Sequence, residues 1–212
     1  MNRAPGHDTP RGPGQATDRD PGHTPARATD QEVSRSVTWV ASMGGPLVVV
    51  PRSAVREWGG ATRAGFLAGE GDGGPDDYDR ACEVDGWAGV IGMGAVGALV
   101  LADEPAMTCF LPGRLMFVRW LAADSEAEVL AVAERVRAGA GTAWEDAGIW
   151  VTDGPAVLMD SAEAGADLGV EYPGGGLPEQ APVAVPAGRW RVRAACGEGE
   201  CTSVVVIRLT AC

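Results

Sequence analysis

One stretch of this 212-residue chain repeats with a helical period; the remaining apolar residues fall mostly into short runs bounded by Gly, Pro or acids. That contrast limits the folds open to it. Val37–Ala41, Leu47–Val50, Trp87–Ile91, Ala98–Ala102, Thr108–Leu111 and Leu115–Leu121 read as strands, followed by Ile149–Thr152 and Val157–Asp160. Leu115–Leu121 is apolar on both faces except for Arg119, the pattern of a central, covered strand. At the C-terminus Trp190, Val192 and Ala194 alternate with Arg189, Arg191 and Arg193, and Ser203–Leu209 follows, which predicts a hairpin. The helical stretch lies within Asp124–Ala138. There Ser125 and Glu128 have capping-box spacing, and Val129, Val132, Ala133 and Val136 make one apolar stripe. Arg135 and Arg137 suit its C-terminal end, and Gly139 its stop. Ser53–Trp58 reads as a second, short helix ended by Gly59-Gly60, with loops over 61–76 and 161–181. The fold class expected is α+β, mostly antiparallel β with one main helix.

Residues 1–36 differ in kind. They are rich in Pro, Gly, Arg, Asp and Thr and nearly free of large apolar side chains, so they read as a disordered tail ahead of a domain spanning 37–212. The start of the chain has no apolar core of a signal peptide, and no run is long enough for a membrane-spanning helix. The expected location is the cytoplasm, where the five cysteines stay reduced.

Charge and histidine usage narrow the chemistry. The chain has a formal net charge of −12 and no Lys; residues 38–212 carry 12 Arg against 24 acids. Such a surface repels nucleic acid and favours basic proteins. Both histidines, His7 and His23, lie in the tail, so the domain lacks the usual base for a Ser or Cys nucleophile. Cys82 stands near Arg80 but reads as a small core residue. Cys196 and Cys201 flank a hairpin loop as two facing thiols, with no second ligand pair for zinc. The acids of G-D-G-G-P-D-D-Y-D miss calcium-loop spacing. The Gly-Gly-Pro of S-M-G-G-P-L-V-V-V-P cannot grip phosphate: Pro46 removes an N–H, no Lys follows, and the next element is a strand. It is a turn joining two strands. Arg189, Arg191 and Arg193 are expected to pair with acids of their own sheet. No catalytic residue, cofactor site or metal site is expected.

Several strings then occur in a fixed order: S-M-G-G-P-L-V-V-V-P, D-Y-D-R-A-C-E-V-D-G, L-A-D-E-P, F-V-R-W-x-A-A-D-S-E-A, W-E and V-P-A-G-R-W-R-V-R-A. Together, over about residues 38–210, the chain resembles the immunity protein 21 family of bacterial polymorphic toxin systems. The resemblance implies a non-enzymatic cytoplasmic protein that binds and neutralises a cognate toxin domain, with no catalytic residues to carry over. The acidic composition fits a basic partner such as a nuclease. Two other readings stay open: a small-ligand or regulatory β-module, and an enzyme using a carboxylate pair or Cys82. Loops carry function on a strand scaffold. Three predicted loop segments pair acids with an aromatic or a rigid turn, giving Asp77, Tyr78, Asp79, Asp103, Glu104, Asp124 and Glu126 as expected partner-binding residues.

Overall fold

A computed structural model describes residues 37–62, 74–102 and 105–212. The predicted tail and both histidines lie outside the described residues, as do Asp103 and Glu104. The strands are β1 (Trp39–Val40), β2 (Leu47–Pro51), β3 (Gly89–Met93), β4 (Val96–Leu101), β5 (Met107–Leu111), β6 (Met116–Ala122), β7 (Glu145–Thr152), β8 (Ala156–Asp160), β9 (Gln180–Val183), β10 (Gly188–Glu198) and β11 (Ser203–Ala211). Two helices accompany them, α1 (Asp77–Cys82) and α2 (Glu126–Ala138), with 3-10 turns at Val55–Glu57 and Pro112–Arg114. The expected class, mostly antiparallel β with one main helix, is the class observed.

The strands form two sheets. One has the order β1-β5-β6-β11-β10-β7, the other β3-β4-β2-β8-β9, and every described pairing is antiparallel. The Gly-Gly-Pro turn does join two strands, but they do not pair. It carries the chain from the edge of the six-stranded sheet to the centre of the five-stranded one. β9, unforeseen in the predicted 161–181 loop, is an edge strand, the position that tolerates its Pro182.

Three apolar cores follow from strand alternation. Leu47, Val49, Leu99 and Leu158 of one sheet meet Phe117, Trp150, Val192 and Ile207 of the other in the central core. The six-stranded sheet turns Cys109, Val118, Val204 and Val206 outward, and α2 covers them with Val129, Val132, Ala133 and Val136, the predicted stripe. Ser125 Oγ accepts from the Glu128 N–H at 3.4 Å, but the Glu128 carboxylate reaches the N–H of Asp124 rather than that of Ser125. The five-stranded sheet turns Val48, Val50, Val100 and Met159 outward under Ala54, Trp58, Ala81 and Leu168. The 53–58 helix is therefore present only as the 3-10 turn Val55–Glu57.

That last cover is laced together through backbone. Trp58 is fully buried; its indole N–H donates to the Ser161 carbonyl at 2.9 Å, and its own carbonyl accepts from the Gly165 N–H at 2.9 Å. Gly165 lies so close that a Cβ would overlap the Val55 carbonyl. Gly165→Ala is expected to lower stability by about 1–3 kcal/mol, the range for overpacking a closed interior. Urea denaturation of the variant checks this, and an unchanged midpoint would mean the two segments do not press together.

Candidate functional site

Residues 74–86 decide the geometry on the outer side of the five-stranded sheet. Asp76 caps α1: its Oδ1 accepts from the Asp79 N–H at 2.9 Å, while Asp79 Oδ2 accepts from the Asp76 N–H at 3.2 Å. Two orphan donors of the first turn are thereby satisfied. Asp77, Tyr78 and Asp79 are consequently helical, not loop residues, which corrects the expectation. The signal was present in Asp76-x-x-Asp79, an N-cap acid with an acid at N3, but that box uses Asp where Glu or Gln is usual.

The carboxylates here are held by the fold. Asp77 Oδ2 accepts from the Gly59 N–H and Asp77 Oδ1 from the Arg80 guanidinium, both at 2.8 Å. Asp76 Oδ2 accepts from the Thr62 N–H at 2.7 Å. Partial burial acts to raise the Asp76 pKa, but donors from Thr62 and Asp79 outweigh it and leave it below the ordinary value. Tyr78 lays its ring against the opening turn, where a Cβ on Gly45 would come within 2.6 Å of Cε2, so glycine is what admits the ring. The Tyr78 hydroxyl titrates above its ordinary range, first through its hydrogen bond with the Cys82 thiol, then through burial and the nearby charges of Cys82, Asp160 and Asp79. Cys82 is exposed, contrary to the core expectation, because it ends α1 on the side away from Ala81, the residue that enters the core. Cys109 is the buried thiol.

Gly45, Pro46, Tyr78, Cys82, Asp85 and Ala102 line a cleft of about 350 Å³. Residues of three of the strings singled out in the sequence line it: those of S-M-G-G-P and of D-Y-D-R-A-C-E-V-D-G, and Ala102 of L-A-D-E-P. A fourth reaches it from below. Arg119 of F-V-R-W is fully buried between the sheets, and its guanidinium donates to the Ala102 carbonyl. Sequence marked Arg119 as an exception in an apolar strand but gave no partner for it.

The remaining expected site residues lie elsewhere. Asp124 and Glu126 stand at the start of α2, on the outer side of the other sheet, and Glu126 Oε2 accepts from the Trp39 indole at 2.8 Å. They form a patch separate from the α1 cleft. Asp103 and Glu104 follow Ala102 directly but lie outside the described residues. In the C-terminal hairpin, Arg191 pairs with Asp146 of the same sheet at 3.5 Å, which meets the expectation at one of the stripe's three arginines; Arg193 instead has a buried Nε without a hydrogen-bond partner among the described residues. Cys196 lies opposite Val205 while Cys201 lies in the connecting loop, so the two thiols do not face each other across the ladder. Among the described residues no group of three or more His, Cys, Asp or Glu is placed to hold a metal. No helix among them is long and apolar enough to cross a membrane.

The fold and the cleft define a class, an antiparallel two-sheet α+β domain in which residues of three of the sequence strings meet at one cleft. The family model for immunity protein 21 matches residues 38–202, and the chain belongs to that family. No curated protein and no solved structure matches it.

Two outcomes follow from the local chemistry. Asp76→Ala removes the cap of α1 and the Thr62 contact; a loss of about 1–2 kcal/mol is expected in chemical denaturation, and none would mean α1 stands without its cap. Burial, and then the Glu126 charge, push the Cys109 thiol up to about 12 from 9.0, against weaker hydrogen-bond effects. Above the unfolded value the unfolded chain releases a proton that the folded chain keeps. Stability from this group is thus intact below pH 9.0 and declines as pH rises toward about 12. A thiol reagent at mildly alkaline pH should label Cys82, Cys196, Cys201 and Cys212 in the folded protein, and Cys109 only on unfolding; rapid labelling of Cys109 would contradict its burial.

Proposed function

We propose that this chain is a cytoplasmic immunity protein that neutralises a cognate toxin domain of a polymorphic toxin system by binding it, without catalysis. The observation that carries the reading is the match to the immunity protein 21 family over residues 38–202, and the α1 cleft, lined by residues of three of the sequence strings, supports it. The alternatives have less support. An enzyme using Cys82 needs a base, and the thiol's described side-chain partner is a tyrosine whose hydroxyl is itself hard to ionise. An enzyme using Asp77 and Asp79 would employ carboxylates already bonded to Gly59, Arg80 and Asp76.

The partner surface proposed centres on Tyr78 with Asp77 and Asp79; Asp103 and Glu104 join it on the sequence reading alone, and Asp124 and Glu126 form a separate patch. An aromatic anchor inside an acidic surround suits a basic protein, as the excess of acids over Arg does. A nuclease is the toxin class this favours, because nucleases present basic faces to their own substrates.

Titration of toxin activity tests the central claim. A cognate toxin domain should lose activity in proportion to added protein and reach its floor near equimolar protein. Inactivation by a small fraction of an equivalent would show turnover and overturn the non-enzymatic reading.

A further inference from the structure

Large apolar side chains are seldom left in water in clusters without a reason. Among the described residues, Met43, Met107, Val170, Tyr172 and Leu177 are the exposed ones, and three of these five stand on the loop between β8 and β9. Met43, the most exposed at 81%, belongs to the opening turn.

Hydrogen bonds bring the turn and the loop together. The Met43 N–H donates to Asp160 Oδ2 at 2.6 Å, at the root of the loop, and the Ser161 N–H donates to the Pro46 carbonyl at 3.1 Å. The Ala41 N–H donates to Glu179 Oε2 at 2.7 Å, at the loop's far end. Tyr172 bridges the interior of the loop, its hydroxyl donating to Glu163 Oε1 at 2.6 Å. Its pKa is pushed up to about 12, first by that bond, then by burial and by the charges of Glu163, Asp160 and Glu179.

The loop is shaped before any partner arrives. A turn closes at its tip, with the Tyr172 N–H donating to the Gly176 carbonyl and the Gly175 N–H to the Tyr172 carbonyl, both at 2.9 Å. Leu168 anchors it in the outer core, and the Gln180 amide holds the Leu168 carbonyl at 3.0 Å. A surface already ordered loses little entropy on binding. Its charge has one sign. Residues 161–179 contain Glu163, Asp167, Glu171 and Glu179 and no Arg or Lys, and residues 41–45 contain no charge at all. An apolar centre with a charged rim is how recognition surfaces are built. A rim of carboxylates selects a partner whose facing rim is Arg- or Lys-rich.

We infer that the ridge formed by Met43, Val170, Tyr172 and Leu177 is a docking surface for a basic face of the toxin domain, an inference that rests on the immunity reading. It adjoins the α1 cleft through the shared Gly44–Pro46 turn, so a partner seated on the ridge reaches Tyr78 without crossing the sandwich.

The test uses the full chain and, as probe, the purified cognate toxin domain whose activity this chain is proposed to neutralise. Val170→Ser/Leu177→Ser removes apolar surface at two exposed positions and is expected to weaken Kd about tenfold or more. Asp167→Asn/Glu171→Gln neutralises the rim and is expected to slow association several-fold at low salt and to flatten its salt dependence. Ala138→Ser, exposed at the end of α2 on the other outer layer, should leave both quantities unchanged. Melting temperatures establish that each variant is folded, and the rim pair reads the surface even if the apolar pair loosens the loop. Full-strength, salt-dependent binding by both pairs would overturn the ridge while sparing the immunity reading. Wild-type association indifferent to salt would overturn the basic partner. Failure of the wild-type chain to bind the domain would overturn the immunity reading, and the ridge with it.

Discussion

β2 is buried along its whole length. Leu47 and Val49 point into the space between the sheets, and Val48 and Val50 point out of it, yet none of the four is more than 1% exposed. A strand apolar on both faces cannot sit in a sheet with a wet side. The outer face also includes Val100, Val157 and Met159. At about 1.5–3 kcal/mol for each large side chain fully buried, leaving that face bare would forgo on the order of 10 kcal/mol. That is comparable with the whole net stability of a typical domain, ~5–15 kcal/mol. The five-stranded sheet therefore needs a cover on each side. One cover is the second sheet; the other is the assembly of the Val55–Glu57 turn, α1 and the start of the loop after β8.

Because that assembly is made of short pieces, it is held by polar contacts more than by any long helix. Trp58 bonds to Ser161 and Gly165, Gly60 accepts from Tyr78, and Gly59 donates to Asp77. The acids of α1 satisfy backbone donors that would otherwise be orphaned, which explains why an acid-rich stretch can pack against an apolar sheet. The same requirement places the opening turn, the α1 cleft and the ridge of the β8–β9 loop side by side. Covering the sheet and forming the cleft and the exposed apolar ridge are thus done by one set of segments.

Most of the strands and α2 were legible because their signal is local. A period of two or of 3.6 is written within a few residues, and α2 has its cap, its stripe and its terminal arginines in one stretch. α1 was not, since six residues carry hardly two turns of pattern and its start is fixed by Thr62, Gly59 and Gly60, more than ten residues earlier in the chain. The thiols failed for the same reason. Cys82 has apolar Ala81 beside it and is exposed, while Cys109 is buried because α2, far along the chain, covers its strand face. Tyr78 was picked out as an aromatic among acids; Tyr172 and Leu177 were passed over in a stretch that reads only as Gly, Pro and acid.

By itself the sequence determined the class of fold, the main helix, the closing hairpin, the missing histidine and lysine of the domain, and the family, all of which depend on residue identity and short-range order. Tertiary structure alone decided that β1 and β2, neighbours in the chain, belong to different sheets, and that Arg119 reaches across to the carbonyl of Ala102. It also decided which acids are committed to backbone donors and which apolar side chains stay in water. The physical reason is that sheet membership and burial follow from which faces must cover which. That is a sum over residues distant in sequence, and no local period records it.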